Sequence, residues 1–377
     1  MKQEHFGELL AATMSRFFSL HFNGEWRVAW NGEAAQSGSQ RWLVNSLINA
    51  VFVPGVHRCA LDVVRREFGT SVVRWKRPLQ RGYFRLATSG TAGLMAHASL
   101  TVHPAVPHPD CWLIVPGMNK VRFINSAAGI SYCCRKPGCD PAHFRRETEA
   151  RQFAERHGVP VPRILEFLSD DCLAETMIVG TPLNRLISLG EQGDGLRLAF
   201  DAIERLYSSS RRMANLGEYC ADIVSQIESV ADALSTVART EVVALAKRVC
   251  EFCAGSGESI ELVRSHGDFQ PGNILYDGRR IWLIDWEFSG ERSQPFDRLT
   301  YELRTRFDPG LAGRVLRYAA GCGDDRSRRE LRVFVLETIL FECDKAMAAP
   351  CAVPRSLVAT LGELEKTLPA LRLQSGT

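Results

Sequence analysis

The 377-residue chain lacks any marked excess of charge: 46 basic residues face 43 acidic ones, a formal net charge of +3. That balance excludes recognition of nucleic acid or a membrane surface by bulk charge alone. It also lacks a long apolar run. The nearest approach, residues 47–56, is broken by Asn49 and Pro54, well short of the roughly 18 apolar residues of a membrane span. The start, MKQEHFGELLAATMSRFF, has no basic segment leading into an unbroken apolar stretch, so no signal peptide is read and a cytoplasmic protein is expected. Internal repeats and low-complexity segments are absent too. Lysine is scarce, with 7 Lys against 39 Arg, so a lysine at a chemically demanding position carries weight.

What is present is ordinary globular composition: 45% apolar and 24% charged residues, which rules out a disordered or fibrous chain. The length allows two domains. Twelve cysteines are scattered along it; a disulfide framework belongs to short secreted chains and is not expected. Cys250 and Cys253 have C-x-x-C spacing in a helical stretch, but no second Cys or His pair stands at zinc spacing. They read as buried thiols, as do Cys133 and Cys134 in an apolar strand.

Residues 1–110 hold four of the seven Trp (Trp26, Trp30, Trp42, Trp75) and an amphipathic helix over 57–68 stopped by Gly69. The Pro- and His-rich loop 103–109 reads as a boundary. Beyond Cys111 the texture changes to three short strands, 112–115, 120–125 and 130–136, joined by tight turns into an antiparallel meander. A helix follows with Asp140 as N-cap and Pro141 in its first turn, ending at Gly158. Another strand is expected at 173–179. Residues 184–262 read as mostly helical, with loops near Gly190–Gly195 and Gly255–Gly257. Strand character returns only around 273–286, and 296–372 is again helical. A small sheet with one helix, then a mostly helical half with one embedded hairpin, suggests two lobes with a cleft.

The sharpest segment is Ser265-His266-Gly267-Asp268-Phe269-Gln270-Pro271-Gly272-Asn273-Ile274-Leu275-Tyr276, followed by Ile281-Trp-Leu-Ile-Asp285-Trp-Glu287. Asp277-Gly278 is a hairpin turn signal, and the returning strand brings Asp285 back toward Asn273 and Asp268. Two carboxylates and an amide oxygen suit a hard divalent cation, Mg²⁺ above all. Asp268 can remain free to accept a proton from an attacking hydroxyl. The bland alternative is an Asx-rich turn network satisfied by backbone groups; a lone HxD deserves it, whereas HGDxxxxN with a following IDWE is far more specific.

At these residues the sequence resembles the aminoglycoside phosphotransferase and choline kinase-like family, which has a protein-kinase-like fold. The resemblance spans roughly residues 112–345. It implies that Asp268 is the catalytic base, that Asn273 and Asp285 hold Mg²⁺, and that His266 is structural. Pro295-Phe-Asp297 looks like the family's continuation, with Asp297 tying down the loop. The family also needs a lysine at the end of the third strand. Arg135 and Lys136 compete there, alternation sends them to opposite faces, and Lys136 is chosen for the phosphates. Its partner glutamate belongs on the next helix, where Glu147, Glu149 and Glu155 compete; Glu147 matches the family's Arg-Glu pattern. The turn 116–120, with Gly117 and Lys120, would cover phosphates, although an ordinary hairpin turn or the turn 126–129 competes with it. Residues 174–177, Glu175 among them, would form the hinge that binds adenine.

The expectation is therefore an α+β, protein-kinase-like, two-lobed fold. Residues 1–110 form an N-terminal extension, 111–180 a small antiparallel-sheet N-lobe, and 181–377 a mostly helical C-lobe. The expected function is an ATP- and Mg²⁺-dependent phosphotransferase acting on a hydroxyl of a small molecule, a sugar or glycoconjugate ahead of an aminoglycoside. Neither nucleic acid nor a membrane span is expected. The rivals are a catalytically silent pseudokinase scaffold and an unrelated metal-dependent hydrolase. Glu337 and Glu342, on an otherwise apolar helix, are weighed as acidic contacts for a cationic acceptor against an ordinary polar helix edge.

Overall fold

A computed structural model describes residues 3–31, 37–68, 75–232, 236–253, 258–305, 310–348 and 355–371. Gly69 and the expected loop at Gly255–Gly257 lie outside these. The chain begins with α1 (Gln3–His21), β1 (Arg27–Trp30), β2 (Gln40–Asn45), β3 (Ala50–Phe52) and α2 (Arg58–Phe68). Next come α3 (Lys76–Ala87), α4 (Ala92–Met95), β4 (Ala98–His103), β5 (Trp112–Pro116), β6 (Lys120–Asn125) and β7 (Ile130–Arg135). The middle holds α5 (Pro141–Arg156), β8 (Ile164–Ser169), β9 (Cys172–Thr176), β10 (Thr181–Pro182) and α6 (Leu189–Ser208). Then follow β11 (Arg212–Asn215), α7 (Leu216–Ala231), α8 (Thr236–Cys253), β12 (Ser259–Ser265), β13 (Ile274–Tyr276), β14 (Ile281–Leu283) and β15 (Gly290–Ser293). Helices α9 (Phe296–Glu302), α10 (Leu311–Gly321), α11 (Asp325–Ala348), α12 (Arg355–Glu365) and α13 (Leu368–Leu371) complete the chain.

The chain divides into two compact units. One comprises residues 1–144, 160–199 and 274–284, and the other 145–159, 200–273 and 285–377. This differs from the expected boundaries at 110 and 180. Residues 1–110 form no separate extension, because their strands continue the sheet of the expected N-lobe. The nine-stranded sheet runs β1-β4-β2-β3-β5-β6-β7-β9-β8, with β3 meeting β5 at Val51 and Ile114. Phe17 and Phe18 of α1 pack with Trp42, Trp112 and Phe123 on one face of it. Phe52, Leu113 and Ile124 pack with α2 and Phe84 of α3 on the other.

The local chemistry explains the meander. The Asn125 side chain accepts from the amides of Ala127 and Ala128, and Gly129 closes the turn at φ +68°. Asp140 caps α5 by accepting from Ala142. Cys134 was expected as a free thiol; it faces Cys172 across the β7–β9 ladder and forms a disulfide with it. Sequence spacing could not reveal a pairing set by strand register.

In the second unit, α7, α8 and α11 enclose an apolar core from Leu216 to Leu371. Two expectations change. Gly190–Gly195 lies inside α6, not in a loop, and Gly195 serves close approach, since a Cβ there would come within 2.6 Å of Leu183. The stretch 184–262 also contains β11 and the start of β12, which pair with each other, β12 pairing in turn with β15 in a three-stranded sheet. Those strands are short and part-exposed, so no clean alternation marks them.

Candidate active site

Strand β12 delivers the His-Gly-Asp segment, because Ser265, its last residue, pairs with Gly290, the first of β15. The chain must then turn sharply. Gly267 adopts φ +84°, and a Cβ there would lie 1.9 Å from the Phe288 carbonyl oxygen. Only glycine fits. The loop is held from below by one buried carboxylate. Asp297 Oδ1 accepts from Ser265 Oγ (2.8 Å) and the Gly267 amide (3.0 Å), and Oδ2 from the His266 amide (2.8 Å) and Tyr207 Oη (3.1 Å). Complete burial beside that carboxylate pushes the Tyr207 phenol well above its ordinary pKa, so it remains a donor. His266 is fully buried, 4.4 Å from the Trp286 ring, and its Nδ1 meets the Asp268 amide at 3.3 Å.

On this platform Asp268 is buried, and its Oδ2 accepts from Gln270 Nε2 and Asn273 Nδ2, both at 2.9 Å. The Asn273 amide nitrogen also donates to the Asp268 carbonyl (3.0 Å). With its nitrogen thus committed, Asn273 presents its side-chain oxygen as an acceptor. The β13–β14 ladder pairs Ile274 with Leu283, so Asn273 and Asp285 leave it at the same end. Asp285 has left-handed backbone, φ +68°, a conformation that costs a non-glycine residue energy and clusters at functional sites. Among the described residues no group of three or more His, Cys, Asp or Glu could by itself hold a metal. One amide oxygen and one carboxylate suit Mg²⁺, which keeps waters and binds phosphate oxygens beside few protein ligands.

The first unit carries Gly117, Lys120, Lys136 and Glu175, all expected to meet the nucleotide. Lys136 is buried just past β7; its Nζ donates to the Gly117 carbonyl (2.6 Å) and lies 5.0 Å from the Phe6 ring centroid of α1. Burial lowers its pKa. Arg135 instead binds Asp171 in the β8–β9 turn. Gly117 and Lys120 close the β5–β6 turn through an amide–carbonyl bond of 2.8 Å. Glu175 sits within β9, its backbone paired with β7 and β8 and its carboxylate 2.6 Å from Arg122. Met177, the last expected hinge residue, donates its amide to the Gly129 carbonyl. Glu147 lies buried on α5 and groups with the second unit.

A sequence model of the phosphotransferase enzyme family matches residues 118–333, more than half of the chain. The chain belongs to the phosphotransferase enzyme family. No curated protein matches this phosphotransferase. Among solved structures, similarity extends to a choline/ethanolamine kinase family protein from Mesorhizobium loti, at 17% identity over 78% of this chain and 99% of that one, TM-score 0.46. A Plasmodium vivax ethanolamine kinase is 12% identical over 85% and 94%, TM-score 0.43. A thermostable mutant of aminoglycoside phosphotransferase APH(4)-Ia, in ternary complex with AMP-PNP and hygromycin B, is 14% identical over 73% and 97%, TM-score 0.45.

Sequence reasoning about this phosphotransferase missed Tyr207 and Ser265, because Tyr207 reaches Asp297 across 90 residues and nothing in its own neighbourhood signals that. It also misread Glu337 as either an acceptor contact or a polar helix edge. Glu337 is fully buried and accepts from Tyr219 Oη (2.5 Å), the Ser293 amide (2.6 Å) and Ser293 Oγ (2.6 Å). It joins α11 to α7 and β15 and has no access to solvent. Glu342 is also buried, 3.8 Å from Lys345.

Proposed function

We propose that this phosphotransferase moves the γ-phosphoryl group of ATP to a hydroxyl of a small molecule. The observation that carries the reading is the fixed carboxylate of Asp268, oriented through Oδ2 by Gln270 and Asn273 on a loop clamped by Asp297. Asp268 orients the acceptor hydroxyl and takes its proton as the hydroxyl oxygen bonds to the γ-phosphorus and the bond to the ADP oxygen breaks. Asn273 and Asp285 would hold Mg²⁺, which when bound neutralises charge on the phosphate oxygens. Lys136 would serve the inner phosphates, with the turn at Gly117 and Lys120 beside them. Glu175, expected among the residues that meet adenine, has its backbone paired with both β7 and β8, so no adenine contact is assigned to it. A sugar or glycoconjugate hydroxyl leads as acceptor, with an aminoglycoside second. A labelled-ATP screen over a broad panel of hydroxyl acceptors, run beside Asp268→Ala, tests this. Transfer lost in the variant with nucleotide binding retained supports it; no transfer to any acceptor, or phosphate release without one, sinks it.

A further inference from the structure

The near-neutral total charge conceals a strong local bias. Between Glu67 and Asp110 the sequence has no acidic residue, but it has Arg74, Lys76, Arg77, Arg81 and Arg85. Four of these five lie on α3. That helix buries Phe84 and Ala87 and is anchored by Tyr83, whose hydroxyl is 3.0 Å from Asn45 Nδ2 in β2. Its opposite face is apolar as well, and it is exposed. Trp75, at the helix start, is 66% exposed, Leu79 63% and Leu86 55%. At 100° per residue these three fall within an arc of about 40°, with Lys76 on one flank, Arg85 on the other and Arg81 about 40° further round beyond Arg85. Leu94 of the following helix is 87% exposed.

We propose that the Trp75–Leu79–Leu86 face of α3, with its arginine and lysine flanks, docks this phosphotransferase on an anionic phospholipid surface. A stripe of large apolar side chains with a basic border is the pattern of a helix lying in the membrane interface. Trp75 suits the headgroup level, where its ring is half apolar and its N–H can hydrogen-bond, and the Lys76 ammonium lies 5.5 Å from that ring. The basic border complements phosphatidylglycerol or phosphatidylserine headgroups. A nucleic acid would use the same charges and leave Leu79 and Leu86 facing water. Whole-chain charge could not indicate this, since acidic residues elsewhere cancel it.

The test is co-sedimentation of the full chain with vesicles of phosphatidylcholine alone or with one quarter phosphatidylglycerol. Binding is expected only to the anionic vesicles and should weaken in 0.5 M salt. Leu79→Ser/Leu86→Ser and Arg81→Glu/Arg85→Glu should each reduce the partition coefficient at least about tenfold. Both pairs are exposed, so unchanged thermal unfolding certifies the fold. The proposal is overturned if the wild type stays in the supernatant, if neutral vesicles capture it equally, or if the leucine variant pellets like the wild type. Dimers that vanish in the leucine variant, without vesicle binding by the wild type, would assign the face to a second copy and overturn it as well.

Discussion

Asp297→Asn is the most informative single change, because it keeps the shape of the loop anchor while removing its charge and altering its hydrogen-bonding pattern. The carboxylate accepts four bonds, two on each oxygen. Whichever way the amide turns, its NH₂ faces one backbone N–H, that of His266 or of Gly267. A buried donor left facing a donor costs about 1–3 kcal/mol, and the remaining bonds fall from charged to neutral acceptor strength, roughly 0.5–1 kcal/mol each. Relief from burying a charge offsets part of this, leaving a net loss of about 3 kcal/mol. Amide exchange at His266 and Gly267 reports local opening and should accelerate roughly 100-fold, since each 1.4 kcal/mol is about tenfold. Phosphoryl transfer should fall with it while nucleotide affinity changes little. Tyr207→Phe, which removes only one of the four donors, should cost about 1 kcal/mol. Exchange rates in Asp297→Asn within about twofold of wild type would refute the argument that this carboxylate organises the loop.

Gly267→Ala places a methyl 1.9 Å from the Phe288 carbonyl oxygen at φ +84°, so expression of folded protein should collapse, or stability drop by about 3 kcal/mol or more, in urea unfolding. Lys136→Met loses one bond to Gly117 but no longer buries a charge, so thermal stability should hold while ATP affinity, by calorimetry, falls at least about tenfold. For Glu337, burial raises the carboxyl pKa against the opposing bonds from Ser293 and Tyr219. A raised folded-state value means its contribution is full below the ordinary carboxylate range and is lost as pH rises through that raised value. Glu337→Gln, which cannot titrate, should therefore cost more stability at pH 5 than at pH 8; an equal cost at both would refute this.

The segment from Ser265 to Glu287 was legible because its signals are local. A Gly-flanked Asp, an Asn five residues on and a hairpin with an Asp-Gly turn depend on backbone rules within some twenty residues, and β13 and β14 form where that pattern puts them. The three-strand meander was legible for the same reason, with Asn125 and Asp140 acting within their own turns. Strands β1–β4 were not, since membership of one sheet depends on pairings such as Val51 with Ile114 that no local pattern encodes. The sequence by itself determined the sharp Gly267 turn, the hairpin after it and the family. Tertiary structure alone decided that Tyr207 and Ser265 join Asp297 in one clamp, that Glu337 is an internal strut, that Cys134 meets Cys172, and that Trp75, Leu79 and Leu86 share an exposed face. Each of these depends on which distant surfaces pack together, and burial and register are properties of the folded chain, not of any stretch of it.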